Sequence, residues 1–457
     1  MEGLSHGRLA VAAPAATLPR IRGGPALRAR DHVAARAPLG RRIAVLLPDL
    51  GGGGVQAIML ALAAALPEQG HQVDLVVYRT AGELARAVPP AVKLVPLTSR
   101  IPLVGRMIPV VADPLALPHL LLPVLLAQKP APTIAHLPAL IGYLRRRRPD
   151  ALLAAAPHQN LEAIWAARLA GGSTKVLVSE HTVPSEVLGA SRVWRNRFLP
   201  PLMRRAYQQA GAIVSVSREL GDDLAAVTGI PRERITAIYN PVVGPQVERL
   251  AAETVDHPWF APGEPPVVLG VGRLSGQKDF PNLVRAFARV RRRRPTRLVI
   301  FGNAQGAAKT EERRAELARL AADLGVGEDF DAPGFTGNPF AYMARAALFV
   351  LSSRYEGFGN VLPEAMACGC PVVSTNCRAG PSEILDGGRF GPLVPVGNDA
   401  ALAEAMERVL EAPLPAGTLK ARAQQFSVDR AVRGYLDALF GDGHPWTAAE
   451  PVPQPVG

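Results

Sequence analysis

Apolar residues in this chain fall into short uninterrupted runs, too short for helices, that alternate with longer stretches of helical periodicity. The first is Ile43–Leu47, bounded by Arg41-Arg42 and Pro48; it leads through Asp49-Leu50 into four glycines, Gly51–Gly54, and then into the helix-like Val55–Leu66. His71–Tyr78 is the next run. Short apolar runs flanked by turn residues read as buried strands. Strand, glycine loop, helix and strand make a βαβ start, and hence a parallel sheet with helices on its faces.

The same grammar recurs at Asp150–Ala156, Thr174–Ser179 and Ala212–Ser217, so a first α/β domain is expected over residues 41–245. The Pro-rich segments Asn240–Pro245 and Ala261–Pro266 break the pattern. A second set follows at Val267–Gly272, Arg297–Gly302, Ala347–Ser352 and Pro371–Ser374, which predicts a second parallel sheet over 246–425.

With 457 residues, 48% hydrophobic and 20% charged, the chain is globular and long enough for two or three domains, which excludes wholesale disorder, collagen and coiled coil. Its net charge of +12, carried by 45 Arg and only 6 Lys, favours an anionic partner: nucleic acid, an acidic membrane or a phosphorylated small molecule. Two runs, Arg145–Arg148 and Arg291–Arg294, each close a predicted helix, where they complement the dipole and stay solvated; an anionic membrane surface is their second reading. No interleaved aromatics accompany them, so no nucleic acid is expected. Cys368, Cys370 and Cys377 form no disulfide framework and have no nearby His, so they read as packing residues in a reducing cytosol.

Residues 1–40, with six Arg and no apolar core, read as a disordered basic leader rather than a signal peptide, and the Pro-rich 443–457 as a disordered tail. Residues 107–128 are apolar over about a membrane's width, but four prolines and Asp113 interrupt them, which excludes a spanning helix. Peripheral contact with a bilayer and a packed surface of the first domain both stay open for this stretch.

Two segments of the second domain carry chemistry. In Ser352–Pro371 a strand ends, a turn holds Gly357 and Gly359, and a short helix begins near Val361 and stops at Gly369. Amides at Asn360 and Val361 can bind an anion such as a diphosphate. Glu356 lies in the loop and Glu364 in the helix's first turn, so two carboxylates that accept hydrogen bonds from vicinal hydroxyls flank one crevice. The bland reading is a solvated Glu356 and a Glu364 that complements the helix dipole. The other segment, Val271–Phe280, turns after the domain's first strand. Its Arg273 fork and Lys278 suit a pyrophosphate and the charge it develops on leaving. Both segments sit at carboxyl ends of strands in one sheet, where a doubly wound domain binds its ligand.

In the first domain, Gly52-Gly-Gly54-Val-Gln-Ala57 formally fits a dinucleotide fingerprint. Pro48–Leu50 separate it from the strand, however, and Asp74 falls inside the second strand, which argues against a dehydrogenase. Asp329-Phe-Asp331 reads as a chance acidic triplet, and no metal is predicted. His181 follows the run Val176–Ser179, where a lone His is more often structural.

Taken together, Glu356-x7-Glu364, the run from Val271-Gly-Arg273 to Lys278, the loop Gly51–Gly54 and Ser179-Glu-His181-Thr resemble a retaining nucleotide-sugar glycosyltransferase of family 4, over residues 41–440. The resemblance implies an α/β chain with the GT-B fold: two Rossmann-like doubly wound parallel-sheet domains facing a cleft. It implies that Arg273 and Lys278 hold the phosphates of a UDP-sugar without a metal. Glu364 would bind the ribose, and Glu356 with the main chain of Phe358, Gly359, Asn360 and Val361 would position the donor hexose. His181 would meet the donor sugar from the acceptor side, and Gly52 and Gly53 would let the acceptor approach the phosphates. Residues 426–442 would form a helix crossing back onto the first domain.

The function so implied is transfer of a hexose or N-acetylhexosamine from UDP to a lipid-linked or polysaccharide acceptor in glycan biosynthesis. The expected enzyme needs no cofactor and is cytoplasmic, or peripheral at the inner face of the cell membrane. Asn303–Gly306 and Ser382 depart from the family pattern, which bears on the donor more than on the reaction class. A nucleotide-sugar epimerase and a non-catalytic nucleotide-sugar binding protein are the alternatives. The glycine loop beside an acceptor cleft argues against the first, and the presence of every matched polar residue against the second.

Overall fold

The computed structural model describes residues 40–98, 102–126, 132–190 and 194–441; the expected leader, apart from Gly40, and the tail 443–457 lie outside them. The first sheet holds β1 (Arg42–Leu47), β2 (Gln72–Val77), β3 (Val92–Pro96), β4 (Ala151–Ala155), β5 (Lys175–Glu180), β6 (Ala212–Ser215) and β7 (Ile235–Ala237), in the order β3-β2-β1-β4-β5-β6-β7. The second holds β8 (Val267–Val271), β9 (Arg297–Phe301), β10 (Phe330–Gly334), β11 (Leu348–Leu351), β12 (Val372–Thr375) and β13 (Leu393–Val394), in the order β10-β9-β8-β11-β12-β13. Every pairing is parallel.

Strand order reverses between β1 and β4 in one sheet and between β8 and β11 in the other. At such a switch the loops leaving neighbouring strands diverge to opposite faces and open a crevice at the carboxyl edge. The loop after β8 carries Arg273 and Lys278, and the loop after β11 carries Glu356, so the fold opens its crevice between these two segments.

Both faces of each sheet are covered, which is why the interior strands read as continuous apolar runs. Along β1, Ala44 and Leu46 enter one core cluster, and Ile43, Val45 and Leu47 enter the other, as side chains on a strand alternate between faces. In the second sheet Val268 and Leu269 part in the same way.

The helix Val428–Phe440 follows the second sheet in sequence, yet its Ala431, Val432, Tyr435 and Leu439 lie in the core cluster of the first sheet. Polar bonds fix it there: Lys175 Nζ donates to the Leu439 carbonyl at 3.0 Å, and Tyr435 and Ser179 share a hydroxyl–hydroxyl bond of 3.0 Å.

The arginine runs lie at helix C-termini and are tied locally. Arg145–Arg147 end the helix Leu137–Arg147 with Arg148 as its cap, and Arg147 pairs with the buried Asp74. Arg291 pairs with Asp329, and Arg293 with Glu407. In the apolar stretch, Pro109 sits inside the helix Pro102–Ala112, and the chain turns by 106° at Asp113 into Pro114–Leu125. Among the described residues no single helix is long and apolar enough to cross a membrane; this bent pair reaches the length only jointly.

Tyr435 is buried and packs the C-terminal helix onto the first sheet. Tyr435→Ala is expected to destabilise the protein by about 3–5 kcal/mol, read as a fall in the urea midpoint. An unchanged midpoint would show that the first sheet does not depend on this helix.

Candidate active site

Two loops at the carboxyl edge of the second sheet are laced together. Ser352 Oγ donates to the Lys278 carbonyl (2.7 Å), the Arg354 N–H to the Gln277 carbonyl (2.8 Å), and Gln277 Nε2 to the Tyr355 carbonyl (2.9 Å). Lys278 Nζ donates to Glu356 Oε1 at 2.6 Å, and Ser353 Oγ donates to the same oxygen at 2.5 Å. Glu356 is buried and Lys278 nearly so. Arg273, on the loop of Lys278, is exposed and makes no ion pair to any described residue.

The short helix Val361–Ala367 brings Glu364 to the same crevice, partly buried and near enough to Lys278 for their charges to interact. Its carboxylate makes no side-chain hydrogen bond among the described residues. Phe358 turns its ring into the core between Tyr239 and Phe426, with centroids 5.5 and 5.6 Å away, so only its main chain is left to face a ligand. Gly359 adopts φ +92°, and Asn360 Oδ1 accepts from Asn240 Nδ2 at 2.8 Å. Val361 opens the helix and is partly buried.

From the first domain comes His181, directly after β5 and buried, with Nε2 2.9 Å from Ser179 Oγ. A Cβ on Gly357 would lie 1.8 Å from the His181 carbonyl oxygen, so the loop after β11 rests on the backbone of His181. Lys278, Glu356, Glu364 and His181 therefore gather at one place. Gly52 and Gly53 lead into the helix Gly54–Ala65, and a Cβ there would meet the flexible ends of Glu83 and Gln56, at 2.1 and 2.2 Å. No hydrogen bond joins these two glycines to the second sheet's loops among the described residues. Ile58 of their helix does share a core cluster with Val183, Leu351 and Phe358.

Sequence reasoning missed the residues that hold the two halves together. Glu383 accepts the Arg218 and Glu219 N–H groups, both at 2.9 Å, and so caps the helix Arg218–Thr228 of the first domain from the second. Glu219 in turn accepts the Ala379 N–H at 2.7 Å, and Arg378 reaches Ser185 Oγ (3.1 Å) and Asp223 (3.2 Å). Of the missed residues, Ser353 lies three before Glu356 and Asn240 marks the Asn-Pro break. Glu219 and Glu383 carry no local signal.

Two glycosyltransferase profiles match the two halves: Glycosyltransferase Family 4 over residues 52–243 and Glycosyl transferases group 1 over residues 252–426. The chain is 30% identical over 281 residues to a Campylobacter jejuni protein, N-acetylgalactosamine-N,N'-diacetylbacillosaminyl-diphospho-undecaprenol 4-alpha-N-acetylgalactosaminyltransferase, covering 60% of this chain and 72% of that protein. The chain belongs to glycosyltransferase family 4. It is also 30% identical over 300 residues to a GDP-mannose-dependent alpha-(1-6)-phosphatidylinositol monomannoside mannosyltransferase of Mycolicibacterium smegmatis, covering 56% of this chain and 74% of that protein. Among solved structures, Anabaena HepE in complex with UDP-glucose superposes with TM-score 0.66 at 19% identity, covering 87% of this chain and 99% of that one. The lipopolysaccharide outer core galactosyltransferase WaaB superposes with TM-score 0.63 at 19% identity and the same coverage. Such likeness shows the fold, GT-B.

Burial shifts several acids and bases of the glycosyltransferase toward their uncharged forms. Burial pushes the His181 imidazole down to about 4, so it is neutral at pH 7 and acts as a hydrogen-bonding group rather than a cation. Burial pushes the Glu364 carboxyl up to about 7, against the pull of Lys278. Glu180, fully buried beside His181, is also raised to about 7 by burial, opposed by hydrogen bonds from Tyr207 and Asn160.

An acid whose folded pKa stands above its unfolded value binds more protons when folded, so its contribution to stability is lost as pH rises, here between about 4.5 and 7. Glu364→Gln, without ligand, is expected to melt above the parent near pH 8 and level with it at about pH 5. Equal offsets at both pH values in a thermal scan would show that burial does not hold this carboxyl neutral.

Proposed function

We propose that this glycosyltransferase moves a hexose or N-acetylhexosamine from a UDP-sugar to a lipid-linked or polysaccharide acceptor, with retention of configuration. The observation that carries the reading is the buried Lys278–Glu356 pair beside an exposed Arg273 that makes no ion pair among the described residues. An incoming diphosphate draws the Lys278 ammonium and the Arg273 fork onto its oxygens, where they offset charge without a metal ion. That frees Glu356, still oriented by Ser353, to accept from a sugar hydroxyl, while Glu364 accepts from the ribose. The Asn360–Val361 amides and the main chain of Phe358 and Gly359 line the donor, and Gly52 and Gly53 keep the acceptor's path free of side chains.

In the reaction the acceptor oxygen bonds to the anomeric carbon as the bond to the phosphate oxygen breaks on the same face. The departing phosphate takes the acceptor's proton, and no protein nucleophile is assigned. His181, as a neutral imidazole, hydrogen-bonds the donor sugar from the acceptor side. The relatives from Campylobacter and Mycolicibacterium bear names with lipid-linked acceptors, which supports this choice of acceptor; the HepE complex with UDP-glucose supports the nucleotide, whereas the Mycolicibacterium relative is named for GDP-mannose. Such an acceptor calls for an enzyme at the cytoplasmic face of the membrane.

UDP-sugars are to be screened with and without EDTA, following UDP release and the anomeric configuration of the product by NMR. EDTA-insensitive release giving a retained product is the expected result; an inverted product or a strict metal requirement would overturn the mechanism. Arg273→Ala, Lys278→Ala and Glu356→Ala are each expected to lower turnover by about 100-fold or more with folding retained in circular dichroism. Near-parental turnover in all three would remove these residues from the site.

A further inference from the structure

Eight of the thirteen large apolar side chains exposed among the described residues fall between Val104 and Leu126, with Val111, Leu115 and Leu126 at 61%, 77% and 65% exposure. The opposite face of the same segment, through Ile108, Ala112, Ala116, Leu120 and Val124, is built into the core of the first domain. A helix apolar on both faces belongs in a protein core or in lipid, and here one face has the core while the other meets no protein.

The charge around it has one sign. Between Glu83 and Arg145 the sequence carries three Arg and two Lys against a single acid, Asp113. That acid is buried at the bend and held by Arg205 at 3.0 and 2.8 Å, so it presents no negative surface. The segment leaves the carboxyl end of β3, the same edge of the first sheet from which the Gly51–Gly54 loop leaves β1 and His181 leaves β5.

We propose that the bent segment 104–126 is a wedge that seats this edge of the first domain in an anionic bilayer. The aliphatic side chains enter the acyl boundary, the surrounding cations meet acidic headgroups, and the glycine loop and His181 then lie toward the lipid surface. The same cations disfavour burial of the patch against a second copy of the chain, because like charges would be brought together. This inference deepens the lipid-linked acceptor of the reading above and rests on it.

Vesicle sedimentation of the full chain, with no sugar donor present, tests the wedge separately from the reaction. Binding to vesicles containing roughly 30% phosphatidylglycerol, and weaker binding to phosphatidylcholine alone, is expected. The double variant Leu115→Glu/Leu126→Glu should lose about tenfold or more of that affinity while its melting temperature is unchanged, both side chains being solvent-facing. Val396→Glu/Leu414→Glu, at exposed apolar positions of the second domain, should bind as the parent does. The proposal falls if the parent ignores anionic vesicles, if the wedge variant binds like the parent, or if sizing shows a parent dimer that the variant dissolves. Vesicle binding without transfer to a lipid-linked acceptor would instead sink the proposed acceptor and leave the surface standing.

Discussion

The seam between the two sheets is drawn together until backbone meets backbone, and the site depends on that approach. At Gly357 there is no room for a single carbon beyond the main chain, since it would stand 1.8 Å from the His181 carbonyl. Within the second domain Gly380 presses on the Phe358 carbonyl as closely, with φ +104°. A side chain at Gly357 would push the loop after β11 away from the first domain and take Glu356 with it. Around these contacts the polar groups are reciprocal: Glu383 of the second domain caps a first-domain helix, and Glu219 of that helix accepts a second-domain amide. Each carboxylate satisfies amides that the seam would otherwise strand.

Within the crevice the protein keeps charge where removing either partner is costly. A buried ion pair is weak evidence of stability, because desolvation offsets the attraction, yet taking away one member leaves a charge without a partner. Lys278 and Glu356 fit that description, and the four bonds that lace their loops hold them in register without a ligand. Glu364 lies close by and is pushed toward its neutral form by burial, so the unliganded crevice carries less than two full carboxylate charges. The cost of that burial falls on the unliganded protein, as is common where a site is arranged for something it has yet to bind.

How much of this was legible in the sequence follows from how each element is covered. The interior strands β1, β2, β4, β5, β6, β8, β9, β11 and β12 are flanked on both sides and both faces, and their runs stand out. The strands that went unread, β3, β7, β10 and β13, are the four sheet edges. Edge strands have one neighbour and tolerate Lys93, Pro96, Asp331 and Pro333, or shrink to the two residues of β13, so the apolar signal fades. The site divides likewise. Arg273, Lys278, Glu356 and Glu364 lie on loops whose position follows from the strands before them. The Glu383–Glu219 exchange joins segments about 160 residues apart, and no local pattern encodes which helix end a distant carboxylate will cap. Phe358 shows the limit from the other side: its loop is readable, but only packing against Tyr239 and Phe426 decides that the ring points inward.

Net charge was the least informative of the sequence features until its location was known. Arg145–Arg148 stand at the amino ends of β1 and β4, where Arg147 pairs with Asp74 and its carbonyl accepts from Arg42. They lie at the opposite edge of the sheet from the glycine loop and His181, and they serve helix termination. The apolar bend is instead flanked in sequence by Arg86, Arg100, Arg106 and Lys129, and the one acid among them, Asp113, is buried. This separation gives the first domain two chemically distinct ends, one apolar and cationic beside the acceptor path, the other cationic and hydrated. In the proposed reaction an acceptor with a lipid tail would enter from the apolar end, while Arg273 and Lys278 on the second domain would hold the diphosphate of a soluble donor. Placing the two substrates' anchors on different domains makes the closely packed seam, rather than either domain alone, the part that brings reacting atoms together.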